Sequence, residues 1–269
     1  MVNKYSNVFN IGIQNTLVYR VNFLVRACFG LIPLSATLFL WDAIYSSKQP
    51  GGNVSGYILS QMVSYYLIVT IVDGLTAVTE DDWQIASDIK DGNISQFLVK
   101  PIDYLSYRLA LFFSGRLVYM LAALVPIGLF IYFKRADFVL PADPSTFALF
   151  LLSAFLAGLL QFFISYTMAL LAFWVTEVST FIFILFAFEY IAGGHMFPLD
   201  ILPPSVVAVL KFTPFPYELF FPVSVYLGRA TGAELSLGFA MQVSWVGIAY
   251  LSARFVWRRG IIRYTAAGG

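Results

Sequence analysis

Three charged residues lie inside long apolar segments of the chain: Asp73, Arg116 and Glu189. A charge at the centre of a membrane-spanning helix costs about 2.5–3.5 kcal/mol on insertion scales, so it is retained for pairing or for function. Asp73 and Arg116 fall in neighbouring apolar segments, and we expect them to form a structural ion pair. The alternative is that they line a substrate or proton pathway. Glu189 lies near the end of its segment, where we expect it to close against the residues that follow.

The sequence lacks the motifs of common catalytic and metal sites. It contains no G-x-x-x-x-G-K-[ST], and therefore no P-loop to hold ATP phosphates, and neither G-x-S-x-G nor H-E-x-x-H occurs. One histidine, His195, and one cysteine, Cys28, are too few for a histidine- or cysteine-based metal site. His195 follows Gly193 and Gly194, where a hydrogen-bonded structural role is simpler than a functional one. We predict a non-catalytic chain that binds no metal or cofactor itself.

The composition indicates the class of protein. Charged residues make up 12% of the 269 residues, against roughly 25% in a soluble domain. Hydrophobic residues make up 59% and aromatic residues 18%, and the mean hydropathy is +0.79. So few charges cannot cover a soluble surface, and a net charge of +1 lacks the basic excess of a nucleic-acid-binding protein. We predict an all-α membrane protein without a nucleic-acid partner, which excludes a soluble enzyme and a disordered chain.

Six segments are apolar over the length of a membrane-spanning helix, which needs about 20 residues. They are Phe23–Tyr45, Tyr57–Thr79, Leu105–Phe133, Phe147–Val175, Thr180–Phe197 and Leu235–Trp257. We therefore predict a single transmembrane domain that covers residues 1–269. In residues 1–22 the apolar side chains recur every three or four positions, which predicts an amphipathic helix at the membrane interface. The alternative is a simple extension of the first span.

A further apolar stretch, residues 199–227, is interrupted by five prolines. Proline breaks a helix, and broken backbone at membrane depth must be satisfied by protein or by water. We therefore predict a re-entrant helical hairpin over residues 198–227, made of two short helices on the extracellular side. The prolines that define it are Pro198, Pro203, Pro214 and Pro216.

Lysine and arginine residues predict the orientation of the chain. If both termini lie on one side, that side carries ten of these residues and the other side five, apart from Arg116 within a span. Cytoplasmic flanks carry the excess of positive charge in membrane proteins. Both termini are therefore expected in the cytoplasm.

The longest predicted cytoplasmic loop covers residues 80–104. The acidic residues 80–82 favour a helix start, Gly92 favours a helix end, and Asn93 is expected to cap a second short helix. That helix would place three apolar side chains on one side: Ile94, Phe97 and Leu98. An apolar face of this kind needs to be covered, either by the spans of the chain itself or by a cytoplasmic partner subunit.

Residues 89–102 resemble the loop between spans two and three of ABC type-2 permeases, the membrane subunits of a class of ATP-driven exporters. The matching positions are Gly92, Leu98, Lys100, Pro101 and Ile102. The coupling loop that the resemblance implies also includes Phe97. The segments 196–204 and 213–217 resemble the broken extracellular hairpin of the same family. Six spans, cytoplasmic termini and an amphipathic first helix also agree, so the resemblance covers essentially the whole chain.

The resemblance implies a mechanism and a set of partners. Two cytoplasmic ABC ATPase subunits would carry ATP and Mg, dock at the 80–104 loop and drive a pair of permeases that form the translocation path. Residues 80–84 depart from the commoner members and are similar to a bacterial branch that often pairs two different permeases. This implies the bacterial cytoplasmic membrane and leaves a homodimer and a heterodimer both open.

Two other functions remain at this point. An ion-gradient-driven secondary transporter or channel needs paired intramembrane acids and, usually, broken helices in both halves of the chain, whereas only one broken region occurs here. A membrane scaffold would not need the proline-rich hairpin. The many aromatic residues suit amphipathic cargo and stacked sugars equally, so the substrate does not follow from the sequence.

Overall fold

The structure, a computed structural model, describes residues 2–48, 52–77, 81–141 and 143–264. In chain order its α-helices are α1 (Val2–Val18), α2 (Arg20–Ser46), α3 (Leu59–Thr76), α4 (Asp81–Lys90), α5 (Ser95–Leu98), α6 (Tyr104–Phe133), α7 (Pro144–Ala169), α8 (Ser179–Ala192), α9 (Pro204–Leu210), α10 (Phe220–Tyr226) and α11 (Gly232–Arg263). The predicted all-α class is therefore confirmed.

Five of these helices are long and apolar enough to cross a membrane: α2, α3, α6, α7 with its 3-10 extension to Phe173, and α11. They correspond to predicted spans one to four and six. The second predicted span ended at Thr79, which lies outside the described residues. The multi-pass arrangement follows from these helices.

The fifth predicted span, Thr180–Phe197, is shorter than expected. Helix α8 has 14 residues and is about 21 Å long at 1.5 Å per residue, against roughly 30 Å of bilayer hydrocarbon. Apolar residues continue beyond it, but Gly194 has a φ of +92°, and a Cβ there would lie 2.8 Å from the Tyr65 hydroxyl. The chain leaves the helix after Ala192 because this left-handed glycine packs directly on α3. The described residues thus contain five long helices and one short one, which corrects the six full spans.

The proline-rich stretch folds into short pieces, as predicted. Two 3-10 turns, Leu199–Ile201 and Phe215–Tyr217, alternate with α9 and α10. Pro198, Pro203 and Pro214 occupy N-cap positions and Pro216 lies in the first turn of its 3-10 segment, where the missing amide hydrogen costs no helical hydrogen bond. The stretch is therefore a series of short, broken helices, and a re-entrant hairpin on the extracellular side stays a prediction.

Helices α1 and α2 run in the same direction as α6 and pack beside it. Gly12 faces Ser114 so closely that a Cβ would lie 2.2 Å from its Oγ, and further along the Phe23 and Tyr119 rings meet at 6.1 Å. Because Ser114 lies eleven residues after Asp103, the contact with Gly12 is about 16 Å along α6 from the start of that helix. The predicted helix over residues 1–22 is thus seen from Val2 to Val18, but it follows α6 inward, and an interfacial position stays a prediction.

Two contacts define the ends of the bundle. The Tyr57 hydroxyl, just before α3, donates a hydrogen bond to Asp200 (2.8 Å), so α3 begins beside the segment that carries α9 and α10. The Tyr264 hydroxyl, just after α11, donates to the Gly92 carbonyl (2.7 Å), so α11 ends beside α4 and α5. We call these the hairpin end and the loop end. Between them, α3 and α7 carry the largest buried side chains of the core, among them Tyr65, Leu67, Phe162 and Tyr166.

Candidate functional site

At the loop end, helices α4 and α5 form most of the predicted 80–104 loop. Glu80 and the side chains of residues 81 and 82 lie outside the described part of the chain. Gly92 follows α4 with a φ of +80°, the left-handed conformation expected of a glycine cap. The Tyr264 hydrogen bond to its carbonyl ties this turn to α11.

The capping prediction for α5 is wrong. The residue that precedes the helix is Ile94 rather than Asn93, and no side chain caps it. The Ile94 amide donates to the Asp88 carbonyl (3.0 Å), and its side chain is fully buried. Packing of an apolar side chain under α4 therefore sets the start of α5.

A buried ion pair joins α4 to α6. The Arg108 guanidinium donates to the Asp88 carboxylate, and both residues are buried. The Tyr104 hydroxyl donates to the same Asp88 oxygen (2.7 Å) and accepts from Arg108 Nε (2.9 Å), while Gln84 donates to the other oxygen (3.2 Å). A buried charge pair with further hydrogen bonds resists separation because each partner alone would be left uncompensated, so α4 is fixed rigidly to α6.

A second polar contact connects two more helices, α1 and α11, to the start of α6. Asp103 caps α6 through the Ser106 amide (3.0 Å), its carboxylate accepts from Arg254 of α11 (2.5 Å), and its amide donates to the Tyr5 hydroxyl of α1 (3.2 Å). Burial alone would raise the pKa of Asp103, but the hydrogen bonds from Ser106 and Arg254 outweigh it and lower the pKa. Asp103 is therefore held as a carboxylate.

The apolar face predicted for α5 is divided in two. Phe97 packs between the Tyr104 and Tyr107 rings, with centroids 4.9 Å from each, and Ile102 is half-buried. Leu98 points away and is 51% exposed, and Val99 is 84% exposed. The prediction that Ile94, Phe97 and Leu98 share one side of α5 is therefore wrong for Leu98.

Residues 98–101, which we call the loop tip, form an exposed surface with an apolar half and a basic half. Lys100 and Pro101 are exposed, with the Lys100 ammonium 5.9 Å from the centre of the Phe97 ring. The Pro101 carbonyl accepts a hydrogen bond from Lys4 of α1 (2.5 Å). The loop tip therefore projects from a base that is bonded to α1, α6 and α11.

A cluster of polar side chains lies between α3 and the end of α8, with the Asp73 side chain 51% exposed. His195 Nε2 is 3.4 Å from the Asp73 carboxylate, and the His195 ring stacks on Tyr190 with centroids 5.4 Å apart. The ion-pair partner that the described residues give Asp73 is His195 rather than the expected Arg116, whose guanidinium lies 5.7 Å from the centre of the Phe112 ring. His195 could reach Asp73 only because the chain breaks at the glycine pair and folds back toward α3.

Two glutamates complete this cluster. Glu189 of α8 is buried beside Gln161 of α7, and Glu218, from the segment before α10, interacts with it electrostatically. Glu218 is 2% exposed, and neither of its carboxyl oxygens has a hydrogen-bond partner among the described residues. A buried carboxyl group that accepts no hydrogen bond from the protein favours its neutral form, because the charged form would lose its hydration.

Sequence reasoning missed Glu218 and gave His195 little weight. The signal for Glu218 was present in its neighbours, since a glutamate between Tyr217 and Leu219 in a proline-rich apolar stretch has no solvated face. We call Asp73, Gln161, Glu189, His195 and Glu218 the polar cluster. The described residues contain no group of three or more metal-ligating side chains suited to a metal ion.

A family model described as "ABC-2 family transporter protein" matches residues 31–268. The chain belongs to the ABC-2 transporter family. The match includes all five long helices apart from the start of α2, and also α4, α5 and the hairpin, which confirms the resemblance found in the sequence. This ABC-2 protein is accordingly a multi-pass permease component of an ABC transporter. No curated protein and no solved structure matches the chain.

Proposed function

We propose that this ABC-2 protein is the permease subunit of an ATP-driven exporter and that its loop tip receives a cytoplasmic ATPase subunit. The observation that carries the proposal is an exposed apolar surface on a rigid base. Val99 and Leu98 are the exposed apolar side chains, whereas the residues beside them are bonded to three other helices. Exposed apolar groups flanked by polar ones are typical of protein-interaction sites.

The base of the loop tip provides a route for movement. Because Asp88, Tyr104 and Arg108 bind one another in the protein interior, a displacement of α4 carries α6 with it. Through Asp103 the same displacement reaches α1 and α11. An ATPase that closes below the loop tip would therefore move several spans together, which suits the rocking motion of an exporter.

The remaining partners follow from the family. We propose two ATPase subunits per complex, which carry ATP and Mg, and a second permease of the same or a different kind. Both termini and the loop end would face the cytoplasm of a bacterial inner membrane, and the hairpin end would face outward. No catalytic role is proposed for this chain.

The test is co-purification of the tagged chain in mild detergent with mass spectrometry of the bound proteins. A stoichiometric P-loop ATPase is expected with the wild type. The double variant Leu98→Asp with Val99→Asp should reduce the bound ATPase by about tenfold or more, because a charge replaces each contact in the centre of the interface. The matched control is Leu140→Asp, a similarly exposed leucine in the connection between α6 and α7.

Two results would contradict the proposal. One is a chain that purifies alone in several detergents while remaining monodisperse. The other is unchanged ATPase binding in the double variant, or an equal loss in Leu140→Asp, which would show that the loop tip is not the contact.

A further inference from the structure

A cavity of about 410 Å³ lies at the hairpin end, between α10 and the first turns of α11. It is separate from the loop tip, and none of the five residues of the polar cluster lines it. Four of its lining residues are charged, two of each sign: Lys211, Arg229, Asp200 and Glu234. The charge of the lining therefore sums to zero, which does not favour a ligand of high net charge.

The charges form two loose pairs at different depths. Arg229 Nε is 3.4 Å from Asp200, and Lys211 Nζ is 3.4 Å from Glu234. A tight charge-assisted hydrogen bond is about 2.7–2.9 Å long, so neither pair uses its full bonding capacity. The side chains of Lys211 and Glu234 are more than half exposed, whereas Arg229 is mostly buried. The Lys211–Glu234 pair therefore lies at the mouth of the cavity, and the Arg229–Asp200 pair lies further inside.

Two buried hydrogen-bond donors lie next to each other in the inner part of the cavity. Ser224 of α10 is buried, and its hydroxyl has no hydrogen-bond partner within the described ranges; Arg229 Nε lies 3.4 Å from Asp200 but makes no hydrogen bond with it. The Arg229 amide donates to the Ser224 carbonyl (2.9 Å), which keeps the two residues side by side. The Arg229 guanidinium is further fixed 3.7 Å from the centre of the Tyr57 ring. Buried donors without a protein partner are rare, so the Ser224 hydroxyl beside the weakly bonded Arg229 Nε favours one further acceptor in the cavity, such as a phosphate oxygen.

One wall of the cavity is apolar. The Phe221 ring packs against α11 at Gly238, where a Cβ would lie 2.0 Å from its nearest ring atom. Leu237, on the same turn of α11, lines the cavity and is largely exposed on the outer face of this membrane-crossing helix. The cavity therefore connects a polar interior with a surface suited to acyl chains.

We propose that this cavity binds a zwitterionic head group that combines a phosphate with an amine, carried by a phospholipid. The phosphate accepts from the Ser224 hydroxyl and from Arg229 Nε. The ammonium contacts Glu234 in place of Lys211, and the glycerol and upper acyl carbons lie along Leu237. The site does not depend on ATPase docking at the loop tip.

The test uses the full chain, purified in mild detergent, washed free of lipid and titrated separately with phosphatidylethanolamine and phosphatidylglycerol. Native mass spectrometry counts the bound lipid. Phosphatidylethanolamine should bind about tenfold more tightly, the value of one additional charge-assisted hydrogen bond. Ser224→Ala should weaken its binding about tenfold without harm to folding, because the hydroxyl has no partner to lose. Ser244→Ala, an exposed serine of α11, is the matched control.

A second variant tests the amine. Glu234→Gln, an exposed position where folding is not at risk, should remove the preference for phosphatidylethanolamine over phosphatidylglycerol. Equal binding of both lipids by the wild type would overturn the proposal, as would unchanged binding in Ser224→Ala.

Competition with soluble glycerophosphoethanolamine identifies the source of the head group. A need for a large excess, on the order of a hundredfold, supports a membrane lipid held partly through its acyl chains. Displacement at equal concentration supports the head-group chemistry but assigns it to a soluble ester.

Discussion

The buried Asp88–Arg108 pair offers the sharpest test of how α4 is held. The Asp88→Asn substitution keeps the size of the side chain and removes its charge, so it leaves no cavity. Arg108 then stays buried without a counter-charge, since its side chain is only 6% exposed. The Asn amide oxygen can still accept from Tyr104 or Gln84, so the loss is primarily electrostatic.

The expected loss of stability in Asp88→Asn follows from the burial of the ion pair. Removal of one partner of a buried ion pair costs about 3–5 kcal/mol, and the retained hydrogen bonds place Asp88→Asn near the lower limit, at about 3 kcal/mol. For a chain of this size each kcal/mol lowers the midpoint of thermal unfolding by about 2–4 °C. A decrease of about 6–12 °C is therefore expected.

The assay is thermal unfolding in one detergent, followed by tryptophan fluorescence. Trp257 stacks on Tyr104 at 5.2 Å and reports on the same network. Asp91→Asn, an exposed aspartate just beyond α4, is the control and should shift the midpoint little. The triple variant Asp88→Leu, Tyr104→Phe and Arg108→Met should recover most of the loss, because it also removes the buried hydroxyl that the pair satisfied, and apolar replacement of a buried pair is often neutral. A midpoint of Asp88→Asn within about 2 °C of the control, with no recovery in the triple variant, would refute the reasoning.

Two further predictions concern carboxyl groups. Because the pKa of Asp103 is lowered in the folded chain, its contribution to stability is present above the pKa of the unfolded carboxyl, about 3.9, and is lost as the pH falls through the folded value. Asp103→Asn should therefore reduce the stability lost by the wild type between about pH 5 and pH 3, measured as the unfolding midpoint. Glu218→Gln should retain the wild-type yield and midpoint to within about 1 kcal/mol, since it imitates a neutral carboxyl, whereas Glu218→Lys should abolish a folded peak in size-exclusion chromatography.

Each of these has a result that would contradict it. An Asp103→Asn variant with the same acid dependence as the wild type would show that Arg254 and Ser106 do not stabilise the carboxylate. A large loss of stability in Glu218→Gln would mean that Glu218 is charged and paired in the folded chain, and normal folding of Glu218→Lys would mean that its site accepts a charged group.

The class of the protein and most of its helices could be predicted from the sequence. Hydropathy is a local property, and backbone groups in a bilayer must be satisfied within their own helix. Apolar length therefore located five spans correctly, and prolines located the breaks between α9 and α10. The loop glycine was predicted for the same kind of reason, because Gly92 adopts the left-handed conformation that its neighbours cannot readily take.

The errors concern residues whose position depends on distant parts of the chain. Hydropathy extended the fifth span to Phe197, whereas the contact of Gly194 with Tyr65 ends α8 at Ala192. The expected Asp73–Arg116 pair came from adjacency of spans, whereas a histidine 122 positions away in sequence lies beside Asp73. Neither contact has a periodic signature.

At the loop end, too, some features could be predicted from the sequence and others depend on distant parts of the chain. The residue types of the loop, a glycine turn followed by apolar residues and Lys100-Pro101, could be identified from the sequence and agree with the family of the chain. Which of these side chains are buried was decided by tertiary packing: the Tyr104 and Tyr107 rings of α6 cover Phe97. Ile94 is also buried, whereas Leu98 and Val99 stay exposed. Local sequence specifies which helices form, because their hydrogen bonds are internal; the tertiary structure specifies the sites, because burial and charge pairing depend on residues far apart in the chain.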